Sequence, residues 1–177
     1  MKSIIKRSRP SERGVEIAEF ALMVPLLIFL GLLVSEGAAA IRTHQVLNNT
    51  AREGTRLAIQ PEYAPSNVDL SGDIKDAMVK YASDNGMKLP STLSESTPGN
   101  STYIYSGSQS GGWNCNSLNI TISQNNLVLV DAAANQYASA SKVTVQCGYQ
   151  LMYLPKLPFG ISNVFNLNGS AEFRNLY

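Results

Sequence analysis

Three periods of polar and apolar residues follow one another along the chain. No charge occurs from Phe20 to Ser35, and apolar character continues past Glu36 through Gly37, three alanines and Ile41. This stretch reaches the roughly 20 residues that a bilayer-spanning helix needs. The pattern then becomes helical. Val46, Leu47, Thr50, Ala51, Gly54, Leu57 and Ala58 share one small or apolar stripe, while Arg42, Gln45, Asn49, Arg52, Glu53 and Arg56 lie largely away from it. One helix is therefore predicted from Val15 to about Ile59, transmembrane in its first half and amphipathic in its second. Pro25 removes one backbone hydrogen bond and is expected to bend it.

Pro61 and Pro65 break the helix over Gln60 to Ser66. A second helix is predicted from Ser71 to about Asn85, with Ile74, Ala77, Met78, Tyr81 and Ala82 on one face and Gly86 as terminator. Leu89 to Gly112 is rich in Ser, Thr, Gly and Pro and reads as loop, with at most a short strand at Thr102 to Tyr105. Period-two alternation marks Leu118 to Ile122. Asn125-Asn126 reads as a turn, with Leu127 to Val130 pairing back. Asp131 to Ser141 fits either a loop or a helical turn. Lys142 to Tyr153 is the clearest strand, with Val143, Val145, Cys147, Tyr149, Leu151 and Tyr153 on one face. A last strand fits Asn166 to Arg174, with Leu167, Ala171 and Phe173 inward and Asn168, Ser170 and Glu172 outward. The fold class is α+β: a long N-terminal helix, a second helix and a small antiparallel sheet of three or four strands whose one face packs on the amphipathic half of the long helix.

Charge changes the picture at the N-terminus. Residues 1–14 hold Lys2, Lys6, Arg7, Arg9 and Arg13 against Glu12, and the remainder of the chain carries a net −3. The basic bias is thus confined to a leader, too short and too charged to fold, and no nucleic-acid surface is implied. Positive residues before the apolar run keep the N-terminus cytoplasmic and place the C-terminal part outside. In that compartment the only two cysteines, Cys115 and Cys147, are expected to form a disulfide across the sheet.

Candidate enzyme chemistry is sparse. His44 is the only histidine and sits on the helix, where a solvated surface role is the default. Gly111 and Gly112 lack any phosphate-binding frame. No cofactor or metal site is indicated. Trp113, Tyr103 and Tyr105 could form an adhesive aromatic patch, although core or edge packing is the commoner role for such residues. Four Asn-x-Ser/Thr sequons, at Asn48, Asn100, Asn119 and Asn168, stand against roughly two expected by chance from this composition and carry little weight.

The sharpest conflict is at the mouth of the apolar run, where Glu16 and Glu19 place carboxylates beside a membrane-length segment. Such a charge needs a partner or a task. A basic leader, then Gly14-Val15, then Glu19-Phe20 opening the apolar run, resembles the processing site of type IV pilin-like proteins. The stretch Ala51-Arg52-Glu53-Gly54-Thr55-Arg56 resembles the TadE-like branch of the tight-adherence (Flp) pilus system, which typically carries Ala where this chain has Thr55. The Val-Thr-Val strand, Pro-rich turn and final Ser-Ala strand resemble that branch more loosely.

The resemblance implies a pilin-like minor pilin, or pseudopilin. A prepilin peptidase cuts after Gly14, and Glu19 then meets the free ammonium of Val15 in its own or a neighbouring subunit. It implies a structural, non-enzymatic role in pilus assembly or adhesion. Its partners are the prepilin peptidase, the inner-membrane assembly platform, the major pilin and other minor pilins, and residues 20–41 hold it in the bacterial inner membrane. The expected division is a cleaved leader over 1–14, the long helix over 15–59 and an extracytoplasmic domain over 60–177. Two other readings stay open: a secreted protein whose signal peptide is cut near Ala40, and a single-pass membrane-anchored ectodomain.

Overall fold

The structure, a computed structural model, describes residues 11–64, 70–99, 101–109, 115–131, 136–151 and 164–176. Helix α1 (Ser11–Ala58) runs on through Pro25 and is followed by a 3-10 turn at Pro61–Tyr63. Helix α2 spans Ser71–Asp84. Five strands follow: β1 (Ser94–Gly99), β2 (Thr102–Ser108), β3 (Ser117–Asp131), β4 (Gln136–Gln150) and β5 (Val164–Arg174). They form one antiparallel sheet in the order β1-β2-β3-β4-β5, so each strand pairs with its neighbour in sequence. The chain divides into two compact units after Ala38.

In the unit beginning at Ala39, α1 buries Thr43, Leu47, Thr50, Ala51, Gly54, Thr55 and Ala58. Their spacing is that of a single helical face. Three threonines are tolerated there because each hydroxyl donates to the carbonyl one turn back: Thr43 to Ala39 O, Thr50 to Val46 O and Thr55 to Ala51 O. Against this face lie Ile74, Met78 and Ala82 of α2 and the inner face of the sheet, in one apolar cluster. Fully burying each large side chain of that cluster stabilises the unit by about 1.5–3 kcal/mol.

Register explains how the sheet accommodates two helices. One cross-strand row reads Tyr105, Ile120, Val145, Gly169, and the next reads Tyr103, Ile122, Val143, Ala171. Side chains thus taper from aromatic on β2 to almost nothing on β5. Gly169 lies so close to α1 that a Cβ there would come within 2.5 Å of the Leu47 carbonyl carbon. At the other side Ser71, the first residue of α2, hydrogen-bonds Tyr105 Oη at 2.7 Å. The opposite face of the sheet is polar, as in the row Ser94, Ser106, Asn119, Gln146, Asn168.

The sheet closes the C-terminal end of α1. Gln124 Nε2 donates to Ala58 O and to Tyr63 O, and Ser141 Oγ donates to Asn175 Oδ1 at 2.7 Å with a longer contact to Ala58 O. Helix termini leave carbonyls without intrahelical partners, and here tertiary side chains satisfy them. Helix α2 ends as its sequence predicts: Gly86 has φ +83°, and the Met87 amide donates to Ala82 O.

Several expectations are corrected. Helix α1 begins at Ser11, so the last residues of the basic leader are helical rather than unstructured. The Ser/Thr-rich stretch before Gln109 holds β1 and β2, joined through Gly99 and Ser101, both at positive φ. The outermost strand, β1, is exposed throughout, so no apolar alternation marks it. Asn125 does have positive φ, but it sits in a bulge inside β3 and not in a turn. Ser123 pairs with Lys142 and Asn126 with Ala140, so the strand gains one residue and continues. Consequently Leu127 pairs with Ser139 of β4, and the described end of the Ala-rich stretch, Gln136 onward, is strand. Among the described residues the sheet has five strands rather than three or four. Phe173, expected inward, is 44 % exposed at the end of β5. Gly111, Gly112, Trp113, Tyr153 and Pro65 lie outside the described residues.

Candidate assembly segment and its setting

The first half of α1 has the opposite surface from the second. Val15 is 57 % exposed and Phe20 68 %, and large apolar side chains from Ile17 to Val34 are exposed on every side. A helix that is apolar all round belongs in a membrane or inside a larger assembly, and soluble monomers rarely present so much contiguous apolar surface. The span from Gly14 reaches a mean hydropathy of 2.5 in its most apolar window, and none of that window is buried by the chain itself. This single helix is long and apolar enough to cross a membrane.

Glu16 and Glu19 are exposed in the turns just before this run. Glu19 lies four residues beyond Val15, one turn along the same face. The Gly14–Val15 bond is helical, and a Cβ placed on Gly14 would meet nothing within 4 Å. Glycine in a helix costs about 1 kcal/mol relative to alanine, so packing gives no reason for it at this position. Glu36, just past the uncharged run, is only 4 % exposed and is not without a partner. Its signal in the sequence was the lone charge within an apolar stretch.

The two cysteines form a disulfide, Cys115–Cys147, with Cα atoms 5.4 Å apart. Cys115 lies just before β3, and Cys147 faces Leu118 across the β3–β4 ladder. Both are fully buried in the core. The bridge therefore fastens the start of one long strand to its partner. His44 is exposed on α1 with its ring beside Asn48 Nδ2. Tyr105 is buried in the core and Tyr103 is partly buried against it, so these two rings pack rather than form a free patch. Among the described residues no group of His, Cys, Asp and Glu is placed to hold a metal ion.

These features define a class: a small α+β domain carried on a membrane-length N-terminal helix. Residues 14–56 match the family model described as TadE-like protein, a match consistent with a pilin-related, pilus-associated protein of the Tad system. No curated protein and no solved structure matches the chain.

The geometry accounts for part of the TadE-like stretch. Ala51 is fully buried, and a side chain at Gly54 would collide with Met78 of α2. Thr55 donates to Ala51 O at 2.7 Å, with Ala171 O of β5 within 3.2 Å, so the hydroxyl that departs from the usual Ala joins helix to sheet. Arg52 and Arg56 point away from the core, and Arg56 approaches Glu53 at 4.0 Å.

Proposed function

We propose that this chain is a minor pilin, or pseudopilin, of a Tad/Flp pilus: a structural subunit, not an enzyme. A prepilin peptidase removes the leader after Gly14. The apolar half of α1 first holds the protein in the inner membrane, with its N-terminus cytoplasmic and the disulfide-bonded domain outside. That same surface then packs against helices of the major pilin and other minor pilins at the assembly platform. Glu19 pairs with the ammonium created at Val15. The observation that carries this reading is the conjunction of a TadE-like match over residues 14–56 with an apolar helix surface that the chain itself leaves uncovered. A helix surface of this kind is stable in lipid and then among other apolar helices, a sequence that inserting before assembling would provide.

The test is the mature N-terminus, read by intact mass on protein isolated from membranes. The expected chain starts at Val15. Gly14→Leu, whose bulk opposes an extended backbone in a peptidase cleft, should leave the leader attached. A start near Ile41 would identify a cleaved signal peptide, and an uncut Met1 a plain membrane anchor; either replaces the pilin reading.

A further inference from the structure

The fold uses the small residues of the TadE-like stretch and leaves its arginines unused. Arg52 and Arg56 are one turn apart on the outer side of α1. With Asn49, Glu53, Ile59, Tyr81 and Phe173 they line an open groove of about 600 Å³, in which two guanidiniums outnumber the one carboxylate. Among the described residues Arg52 has neither ion pair nor hydrogen bond. Arg56 has only Glu53 at the 4.0 Å limit, an exposed i,i+3 pair that contributes little to stability. Arg56 also lies in the last turn of α1, where a cation suits the helix dipole; Arg52 is a turn too early for that role.

We propose that this groove is a docking site for an acidic segment of a neighbouring subunit, with Arg52 and Arg56 receiving its carboxylates and Ile59, Tyr81 and Phe173 its apolar side chains. The inference rests on the assembly reading above, which supplies neighbouring subunits. Charge complementarity selects the carboxylate: two guanidiniums one turn apart match acids at the same spacing on a facing helix. The apolar members select a protein segment over a lipid headgroup, because Phe173 is a core-side residue of its strand left 44 % exposed beside the arginines. Position argues the same way. Arg52 lies eleven residues beyond Ile41, about 16 Å of helix rise, whereas the headgroup layer adds only about 5–7 Å on each side of the hydrocarbon.

The test uses the full-length chain in its native membranes. Arg52→Lys preserves the charge and supplies an amine that a zero-length carbodiimide can join to a carboxylate in contact with it. The expected result is a band of higher mass in which the peptide containing position 52 is joined to an Asp or Glu of another polypeptide. Its yield should exceed coupling at Lys80, an exposed lysine of α2, by about tenfold, as a docked carboxylate held at high effective concentration requires. The charge-reversed Arg56→Glu should abolish that product in the Arg52→Lys background while leaving the Cys115–Cys147 disulfide intact. Coupling no higher than at Lys80, or only to Glu53 of the same chain, overturns the proposal. So does loss of co-extracted phosphatidylglycerol from an Arg52→Gln, Arg56→Gln variant without any protein cross-link. Intact mass on the same membranes reports processing at Gly14 separately, so failure of the docking site and failure of the pilin reading give different results.

Discussion

The two halves of α1 are continuous in backbone and opposite in surface. From Thr43 to Ala58 the helix is amphipathic, and its small face meets α2 and the sheet so closely that Gly54 and Gly169 are fixed by their neighbours. From Phe20 to Val34 it is apolar on every side, and Gly31, like Gly14 before it, has open space around it. The second half is explained by contacts within the chain. The first half is explained only by something the chain does not contain, whether lipid or other helices. A substitution in the second half should therefore register in the stability of the domain, and one in the first half in insertion or assembly.

Removing the disulfide should have the largest effect. Cys115 and Cys147 are 32 residues apart, and closing a loop of that size is worth about 3–4 kcal/mol in the chain-entropy model. The Cys115→Ala, Cys147→Ala variant should unfold at clearly lower denaturant concentration by circular dichroism in detergent, while the apolar half of α1 remains helical. An unchanged midpoint would mean that the bridge does not fasten the sheet.

Gly169→Ala comes next. Its Cβ would lie within 2.5 Å of the Leu47 carbonyl carbon and within 2.6 Å of the Asn48 amide, both backbone atoms that cannot rotate away. Separating α1 from β5 should destabilise the domain by about 1–3 kcal/mol. Gly14→Ala is the matched change in the other half and should leave the unfolding midpoint where it was. Equal effects of the two would erase the distinction between the halves.

Thr55→Ala should be milder. It restores the residue usual in the TadE-like stretch and removes a buried hydroxyl that donates to Ala51 O and lies near Ala171 O. A net loss of about 1 kcal/mol is expected from one hydrogen-bonded group. A stabilised variant would show that the hydroxyl is tolerated rather than used.

Legibility in the sequence followed locality. Helix α2 was readable to within a residue because Ile74, Met78 and Ala82 announce its buried face and Gly86 its end. The buried half of α1 was readable for the same reason, apart from Thr43 and Thr55, whose hydroxyls are hidden by bonds to the preceding turn. The β3 bulge was not readable. Gln124 interrupts the apolar alternation because it donates to Ala58 O and Tyr63 O at the end of α1, a need that arises only after the chain has folded. The sequence marks only the first half of β2, Thr102 to Tyr105, and not β1, because an exposed edge strand of Ser, Thr and Glu has the composition of a loop. At the candidate site, Glu16 and Glu19 stand out as a conflict between charge and apolarity, whereas Gly14, Val15 and Phe20 stand out only through the resemblance to pilin-like processing sites. The groove at Arg52 and Arg56 was not, because Tyr81 and Phe173 join it from distant parts of the chain.

The smallest effect on the folded domain, and the most informative one, should come from Glu19→Ala. Glu19 is exposed, like Glu16 three residues earlier, so the fold offers no reason for either carboxylate. Both also sit near the start of α1, where an acid suits the positive end of the helix dipole. If that were their whole role, Glu16→Ala and Glu19→Ala would behave alike. They differ in what a cut after Gly14 would create. The new ammonium belongs to Val15, and Glu19 lies one turn from it on the same face, whereas Glu16 is its immediate neighbour and points elsewhere. At the edge of a membrane an unpaired carboxylate is costly, so the Glu19 charge gains most from a cation supplied by its own N-terminus or by that of a neighbouring subunit. Glu19→Ala should leave the unfolding midpoint, membrane insertion and processing at Gly14 unchanged while incorporation into the pilus fails. Glu16→Ala should retain all four. Counting pili and cross-linking subunits in the two variants decides the matter: equal counts would return Glu19 to the role of an ordinary acid at a helix start.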